Sequence, residues 1–227
     1  TKLTERSVQS HRTPKHTTMF AATLATFVLG YSAPSGEILL VDFKGLDDPV
    51  THTWRTNNDP VMGGRSVSSV AIENDALHFV GTCAIVPSLQ APGFITAVNS
   101  DKKDFVDVSS CAGLRITGSA TTDYAGFRLS FGSAKPIGGK FFAAGYKQQF
   151  FPSIGSIGTV DLPFTNFTDF WDDATGKPIH TCQENPNYCP DTKTLTNMKT
   201  MSLWAEGVEG DVDISIVSIA GYGCTSR

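Results

Sequence analysis

The sequence has little charge and no excess of basic residues. Charged residues make up 18% of the 227-residue chain, and its formal net charge is −4. Nucleic acids and anionic membrane surfaces are bound through clusters of Lys and Arg, so neither is an expected partner. No apolar run reaches the length of about 18 residues that a membrane span requires, and no repeat period is visible.

The familiar signatures of catalysis are missing as well. The 5 histidines share no spacing of the kind that binds metals, and His78 lies in a predicted strand, where a structural histidine is the commoner case. There is no Gly-x-Ser-x-Gly motif. Gly138-Gly139-Lys140 lacks the first glycine and the final Ser or Thr of a phosphate-binding loop. The sequence therefore predicts a protein that is not an enzyme and that uses no metal and no cofactor.

Residues 1–33 differ in composition from the rest of the chain. Residues 1–17 carry four cations against one acid, Glu5, and residues 19–31 form an uncharged apolar stretch followed by Ser32-Ala33. This order is typical of a secretory signal and predicts a lumenal or extracellular protein. A basic, serine-rich tail also fits an organelle presequence, which leaves the mitochondrion or plastid as an alternative. We expect membrane contact only through residues 19–31 or through a partner.

From Glu37 onward, apolar residues alternate with polar ones. Phe127, Leu129 and Phe131, for example, alternate with Arg128 and Ser130. Similar short runs occur near residues 38–43, 69–73, 77–86, 94–98, 114–117, 146–151, 157–162, 200–205 and 212–216. A period of two with Gly, Pro, Asn and Asp between the runs indicates strands. The sequence thus predicts an all-β sandwich over residues 34–227, preceded by a targeting or anchoring tail at residues 1–33.

The longest stretch without strand character, residues 165–194, is termed the long loop. It contains an aromatic cluster with two interpretations: its rings fill the end of the sandwich, or Trp171 is an exposed anchor for a protein or sugar. Asn166-Phe167-Thr168 is a glycosylation sequon, relevant if the protein is exported. A loop of this length is usually functional or cross-linked.

Cysteine spacing within the long loop favours a local cross-link. Cys182 and Cys189 lie seven residues apart in a segment with no helical pattern, which indicates a disulfide in an oxidising compartment. Together with His180 they are also potential metal ligands, although no second ligand pair is visible. Cys83 has the strand parity of a core residue, so we expect a reduced, buried thiol.

The most distinctive segment, here called the motif segment, is residues 54–66, which read Trp-Arg-Thr-Asn-Asn-Asp-Pro-Val-Met-Gly-Gly-Arg-Ser. It is predicted to be a loop fixed at both ends, with Trp54 and Met62 buried. Asp59 begins a turn, and both Asp59 and Ser66 are expected to hydrogen-bond to backbone within the loop. Two consecutive glycines, Gly63-Gly64, allow positive φ or close backbone approach.

The motif segment resembles the signature of the complex I intermediate-associated protein 30 family. The matching residues are Trp54, Asn58, Asp59, Val61, Met62, Gly63, Gly64 and Ser66. The resemblance continues in order through Phe79, Gly81, Gly93, Phe94, Gly113, Leu114, Gly118, Tyr124, residues 146–150, Pro163, Phe164, Phe167 and residues 214–219. It extends over most of the chain after the tail.

This resemblance implies a jelly-roll sandwich of the galactose-binding-like type. In that fold the strand after Cys111 and the strand before Cys224 are expected to be antiparallel neighbours, which predicts a second disulfide, Cys111–Cys224. The best-known members of the family are mitochondrial assembly factors for respiratory complex I, and others lie in plastids or are exported. Membership alone does not fix which of these roles this chain has.

Two functions are therefore expected from the sequence. The first is a non-catalytic assembly or accessory factor that binds protein subunits of a membrane complex of the electron-transport type. The second, which rests on fold analogy, is an exported or lumenal carbohydrate-binding module with a glycan as ligand. In both cases loops at one end of the sandwich supply the contacts. The candidate contact residues are the motif residues named above together with Arg55, Asn57, Arg65 and Trp171.

Overall fold

Two antiparallel sheets pack face to face around an apolar core. The computed structural model describes residues 36–45, 51–59, 63–134 and 145–225, all of which belong to one unit, residues 34–227. The predictions for residues 1–33 and for Met62 fall outside the described residues. The predicted all-β jelly-roll sandwich is confirmed, since the strands carry the alternation expected from the sequence.

Thirteen strands are found in the described residues. They are β1 Gly36–Asp42, β2 Trp54–Asn58, β3 Val67–Glu73, β4 Ala76–Cys83, β5 Ile85–Val86, β6 Ala91–Pro92, β7 Phe94–Asn99, β8 Gly113–Ala120, β9 Phe127–Gly132, β10 Tyr146–Gln149, β11 Gly158–Pro163, β12 Thr200–Glu206 and β13 Gly210–Cys224. Two short 3-10 helices, Phe164–Asn166 and Pro186–Tyr188, and one α-helix, α1 Thr192–Thr196, lie between β11 and β12. None of the helices in this described part is long and apolar enough to span a membrane.

The larger sheet is organised around its longest strand. It has the order β11-β8-β13-β4-β3, and β1 also pairs with β13. The register places Ile214 opposite both Phe79 of β4 and Ala120 of β8, and a bulge after Ile216 shifts the rest of the β8 pairing. All of these pairings are antiparallel, so the 15-residue β13 is hydrogen-bonded to three other strands.

The smaller sheet has the order β10-β9-β12-β7-β2. Alternate residues of β9, namely Phe127, Leu129 and Phe131, point into the core and are at most 1% exposed. The intervening residues Arg128 and Ser130 lie on the outer face, where polar side chains would normally meet water. They are nevertheless buried, which shows that other parts of the chain cover this face.

Antiparallel pairing gathers five connections at one end of the sandwich, here called the motif end. The register pairs the last residues of β2, β4, β8, β10 and β12 with the first residues of neighbouring strands. The connections at this end are residues 59–66, 84–93, 121–126, 150–157 and 207–209. The long loop starts and finishes at the opposite end, between β11 and β12.

Candidate functional site

The motif segment is held together by the carboxylate of Asp59. The Ser66 backbone N–H donates to Asp59 Oδ1 over 3.2 Å, and the Ser66 hydroxyl donates to Asp59 Oδ2 over 2.9 Å. The Phe94 N–H also donates to Asp59 Oδ2, while Ser66 Oγ accepts from the Ala84 N–H. The predicted backbone bond within the loop is confirmed for Asp59. Ser66 binds backbone outside the loop instead, because Ala84 lies beside it.

Two glycines leave the space that this carboxylate occupies. A Cβ on Gly64 would lie 1.7 Å from the Asp59 carbonyl oxygen, and a Cβ on Gly93 would lie 1.5 Å from Asp59 Oδ2. Gly63 has φ +79°, in the region that favours glycine, as predicted. The glycine pair therefore serves two separate needs, one for backbone conformation and one for close approach.

The start of the motif segment differs from the prediction. Residues 54–58 form strand β2 at the edge of the smaller sheet, not a loop, and Trp54 is half-buried rather than buried. Its ring lies 6.0 Å from that of Phe43, and its indole Nε1 is shielded from water without a hydrogen-bond partner among the described residues. An edge strand has a neighbour on one side only, so Trp54 is incompletely covered.

Among the described residues of the motif segment, 54–59 and 63–66, the exposed side chains are polar. Arg55 and Arg65 are exposed, and Asn58 accepts a hydrogen bond of 2.6 Å from the Ser68 hydroxyl. Arg55 pairs with Val98 on β7, which places it on the outer face of the smaller sheet. Asp59 and Ser66, by contrast, are 4% and 6% exposed, and their polar atoms are used inside the fold.

A buried ion cluster lies on the outer face of the smaller sheet. Lys147 Nζ donates to Glu206 Oε1 over 2.7 Å, and Arg128 Nε lies 3.7 Å from the same oxygen. Arg128 also donates to the carbonyl oxygens of Gly176, Gly126 and Glu206. Burial lowers the pKa of the Lys147 ammonium, and the Glu206 carboxylate opposes that shift. One buried anion is therefore shared by two buried cations.

Two tryptophans sandwich the ammonium of this cluster. Lys147 Nζ lies 4.0 Å from the ring centroid of Trp204 and 4.7 Å from that of Trp171. Trp204 belongs to β12 and donates from its Nε1 to the Ser130 hydroxyl over 2.8 Å. Trp171 comes from the long loop. The contact thus joins the loop to the sheet through cation–π attraction in a place with little water.

The middle of the long loop is a hairpin, residues 170–179, and not an open insertion. Trp171 bridges Pro178, and the Ile179 N–H donates to the Phe170 carbonyl over 2.9 Å. At the tip, Asp172 Oδ1 accepts from both the N–H and the hydroxyl of Thr175 at 2.8 Å. Gly176 follows with φ +65°. These contacts fix the tip in one conformation.

The tip of this hairpin reaches the motif end. A Cβ on Gly207 would lie 2.4 Å from the Thr175 carbonyl oxygen, so the tip and the end of β12 touch. Glu206, the neighbour of Gly207, pairs with Phe94, whose N–H binds Asp59. The two segments that the sequence singles out therefore both reach one end of the smaller sheet, where the ends of β12 and β7 lie between them, although the long loop begins at the other end.

At the base of the hairpin, three rings stack at the surface and form the aromatic face. The centroids of Phe170, His180 and Tyr188 are 5.3 to 5.7 Å apart, with interplanar angles of 8° to 27°. Phe170 is 40% exposed and the neighbouring Ile179 is 49% exposed. Phe164 and Phe167 of the predicted aromatic cluster are instead buried in the core. The first interpretation is thus confirmed for Phe164 and Phe167, whereas Trp171 is half-buried against Lys147 and is not the exposed residue that the second interpretation predicts.

Both predicted disulfides are present. Cys111 and Cys224 are joined with a Cα–Cα distance of 3.7 Å, and Cys182 and Cys189 with a Cα–Cα distance of 4.5 Å. Cys83 is the free cysteine and is buried, as expected. Burial raises the pKa of the Cys83 thiol to about 11, and its Sγ lies 3.1 Å from the Gly93 carbonyl oxygen. This thiol is therefore a core group and not a nucleophile.

The two recognised residues of the sequon differ in their exposure to solvent. Asn166 is exposed and its Oδ1 accepts from Gln183 Nε2 over 2.7 Å. Thr168 is buried, and its hydroxyl donates to the His180 carbonyl over 2.7 Å. Modification at Asn166 stays a prediction.

The predicted metal ligands do not form a metal site in the part of the chain that the structure describes. Within residues 36–45, 51–59, 63–134 and 145–225, no group of three or more His, Cys, Asp or Glu side chains could hold a metal ion. His78 binds the Ser215 hydroxyl and the Glu73 carbonyl, which is the structural role that its place in a strand predicts. His180 lies 3.6 Å from Glu184 on the surface.

Sequence reasoning missed the buried ion cluster. Arg128 and Lys147 occupy the polar positions of alternating strands, where the pattern predicts contact with water. The hairpin of the long loop covers these two side chains. The sequences of β9 and β10 contain no local pattern that predicts this contact, because the hairpin comes from a distant part of the chain. Glu206 is similar, because it ends a strand at a position that is normally exposed.

Comparison with known proteins places the chain in a family and in a fold. The sequence profile of the family described as complex I intermediate-associated protein 30 matches residues 41–186. No curated protein sequence matches the chain significantly.

Among solved structures, the chain is similar to the family 11 carbohydrate-binding module from Clostridium thermocellum, which was solved in complex with a β-1,3-1,4-mixed-linked tetrasaccharide. The TM-score is 0.54 and the sequence identity is 15%, and the match covers 85% of this chain and 98% of that chain. A solution structure of CtCBM11 gives a TM-score of 0.48 with 16% identity, covering 86% and 99%. A putative sugar binding protein from Bacteroides thetaiotaomicron gives 0.40 with 10% identity, covering 85% and 96%. At these identities the likeness concerns the fold.

Proposed function

Because the chain belongs to the complex I intermediate-associated protein 30 family, we propose that it is a non-catalytic accessory factor that binds a protein partner. The observation that carries this proposal is the aromatic face, defined by Phe170, His180 and Tyr188, on a loop that is fixed in place. Rings exposed to water contribute large contact areas when a protein covers them.

The supporting contacts hold the aromatic face before any partner arrives. The Cys182–Cys189 disulfide closes the segment that follows the hairpin. Arg128 binds the Gly176 carbonyl over 3.0 Å, and Thr168 is paired in both directions with the backbone of Lys147. A loop ordered in advance loses less conformational entropy on binding, so more of its contact energy appears as affinity.

Arg55 and Arg65 offer positive charge on another part of the surface. Both are exposed, and Arg55 lies on the outer face of β2, at the edge of the smaller sheet opposite to β10, the strand that the long loop contacts through Thr168. Exposed Arg side chains at the margin of an interface favour a partner with acidic residues and raise the rate of association. We therefore infer a partner that presents apolar side chains to the aromatic face and carboxylates to the two arginines.

We propose further that the partner is a subunit of a membrane complex of the electron-transport type, which the family description supports. The two disulfides support an oxidising compartment, that is, a lumenal or extracellular site within the secretory pathway. The mitochondrion or plastid is the alternative.

Carbohydrate binding is the second candidate. The aromatic face favours it, because parallel exposed rings suit the flat apolar face of a sugar as well as they suit a protein side chain. Exposed polar groups close by, among them Gln183 and Glu184, would supply hydrogen bonds. The fold alone gives little support, since one fold hosts many functions.

A paired experiment separates the two candidates. The purified protein is cross-linked to solubilised native membranes and, in parallel, applied to a glycan array. Phe170→Ser with Ile179→Ser should abolish partner cross-linking, as should Arg55→Glu with Arg65→Glu, while Val106→Ser, a 38% exposed control on the connection between β7 and β8, should not. Trp171 is unsuitable for this test because its ring packs on Lys147.

Normal cross-linking by both double variants would overturn the protein-binding proposal. Glycan binding that disappears with Phe170→Ser and Ile179→Ser, but persists with Arg55→Glu and Arg65→Glu, would support the carbohydrate candidate instead. Melting temperatures equal to that of the parent protein show that the variants are folded.

A further inference from the structure

A second surface, formed by the connection between β10 and β11, exposes large apolar side chains that are not buried in the core. In residues 150–157, here called the apolar loop, Phe151 is 64% exposed, Ile154 51% and Ile157 68%. Single exposed apolar residues are common, but three within seven positions of one connection are not. This cluster is also separate from the hairpin and from the aromatic face.

The exposure does not come from a loosely attached loop. Phe150, the first residue of the apolar loop, is 2% exposed and its N–H donates to the Phe127 carbonyl over 3.0 Å. Ala120 at the end of β8 holds the middle of the loop through two backbone hydrogen bonds of 2.8 Å, one from its N–H to the Ser153 carbonyl and one from the Gly155 N–H to its own carbonyl.

The loop is also closed on itself. A Cβ on Gly158 would lie 2.0 Å from Ser153 Oγ, so the two sides of the loop touch where β11 begins. Ile154 and Ile157 lie between these two positions and are directed away from the core, as their exposure shows. The apolar side chains are thus presented by a rigid support, which is the condition for an anchor that binds without reordering.

In the described connections that adjoin the apolar loop, all charged side chains are acidic. Residues 121–126, 150–157 and 207–209, which adjoin at the motif end, contain no Lys and no Arg. They contain Asp123 and Glu209, both exposed, and Asp211 follows directly in β13. Thr121 donates its N–H to the Asp213 carbonyl over 3.0 Å, which ties the acidic start of β13 to the connection beside Ala120.

We propose that the apolar loop is a docking site for a protein partner that offers an apolar recess bordered by Lys or Arg side chains. Phe151 and Ile157 fill the recess, and the acidic residues at the rim pair with the cations. A bilayer is a poorer fit, because loops that insert into membranes are normally accompanied by Lys or Arg that face anionic lipids. A second copy of this chain is a poorer fit as well, because its own acidic rim would be repelled.

This proposal does not depend on the function assigned to the aromatic face. The two surfaces lie on different connections, and a protein that binds one can leave the other free. Either can therefore fail alone, and the variants that test them share no residue.

The test uses the full chain with a photo-cross-linking phenylalanine analogue at position 151, expressed in its native cell. We expect one dominant cross-linked protein, and mapping of the cross-link should place it beside apolar residues with Lys or Arg nearby. The same analogue at position 106, at the opposite end, should not give that product. The identified protein is then purified and its affinity measured.

With that purified partner, Phe151→Ser and Ile157→Ser together should weaken binding by about thirtyfold or more. Asp123→Lys should weaken it by about tenfold, and changing the mapped Lys or Arg of the partner to Glu should restore binding to that variant. Val106→Ser should leave the affinity unchanged.

Several outcomes would overturn the proposal. The first is flotation of the protein with phosphatidylcholine or phosphatidylserine vesicles that is lost with Phe151→Ser and Ile157→Ser. The second is a concentration-dependent dimer in light scattering that the same variant abolishes. The third is a cross-link pattern at position 151 no different from that at position 106. Unchanged melting temperatures exclude unfolding as the cause of lost binding.

Discussion

The carboxylate of Asp59 fixes three segments of chain at the motif end. It accepts hydrogen bonds from Ser66 and Phe94, and Gly64 and Gly93 leave it room. A buried carboxylate that accepts several hydrogen bonds is well compensated, whereas losing one partner would leave a buried polar group unsatisfied. The conspicuous residue types of the motif segment therefore have a demonstrable structural role, irrespective of any partner.

The two glycines of the motif segment should respond differently to alanine. Gly63→Ala introduces a positive-φ strain of about 1 kcal/mol without a clash, since nothing lies within 4 Å of its Cβ position. Gly155→Ala, at φ +73° with an equally open Cβ position, is the matched control. Gly64→Ala should cost about 3 kcal/mol, because its Cβ meets the Asp59 backbone. Urea unfolding measures all three, and equal costs at Gly63 and Gly64 would contradict this assignment.

Cys83 gives a prediction that depends on pH. Its pKa is raised from 9.0 to about 11 by burial, so between these values the folded state binds more protons than the unfolded state. The contribution of this thiol to stability is therefore fully present below pH 9.0 and is lost as the pH rises through about 11. In Cys83→Ser the decline in stability across this range should be smaller. Rapid alkylation of native Cys83 by iodoacetamide at pH 8 would contradict its burial.

At the scale of elements, the hairpin of residues 170–179 and the smaller sheet are joined by the buried ion cluster. Arg128 and Lys147 come from two strands, Glu206 from a third, and Trp171 and Gly176 from the hairpin. A buried ion pair adds little net stability compared with apolar residues, but removing one partner is costly. The cluster therefore determines where the hairpin lies more than how stable the whole fold is.

Glu206→Gln should accordingly destabilise the protein by about 3–5 kcal/mol, because two buried cations lose their shared anion. Glu73→Gln, at an exposed end of β3, is the control and should have little effect. Hydrogen exchange should show the largest loss of protection in residues 170–179. If protection falls evenly over both sheets instead, the cluster does not hold the hairpin specifically.

The strands were largely predictable from the sequence, whereas the covered outer face was not. Alternation in β8, β9 and β13 reflects the two faces of each strand, and that signal is local. The burial of Arg128 depends on Gly176, which lies far away in the chain, and no periodicity encodes such a contact. The prediction that Trp54 is buried was wrong for a related reason, because its burial depends on which strand lies at the edge of the sheet. The Cys182–Cys189 disulfide was predictable from its short spacing, whereas Cys111–Cys224 was predictable only from the strand order that the family resemblance implies.

For the whole molecule, the two disulfides should differ in their effect on stability. The Cys111–Cys224 bond spans 113 residues and Cys182–Cys189 spans 7. In the chain-entropy description the first constrains the unfolded state by about 5 kcal/mol and the second by about 2 kcal/mol. Replacing each pair by Ser and measuring unfolding in urea should give this order. Equal losses would indicate that the short bond supports global structure as well.

The position of β13 in the chain has a consequence for synthesis. This strand, Gly210–Cys224, pairs with β1, β4 and β8, so the larger sheet lacks its central strand until residues 210–224 have left the ribosome. Until β13 is available, the apolar faces of those three earlier strands are incompletely covered, and such exposed faces are prone to aggregation. The larger sheet therefore completes its hydrogen-bonded pairing only after β13 has been synthesised, later than every other strand found in the described residues.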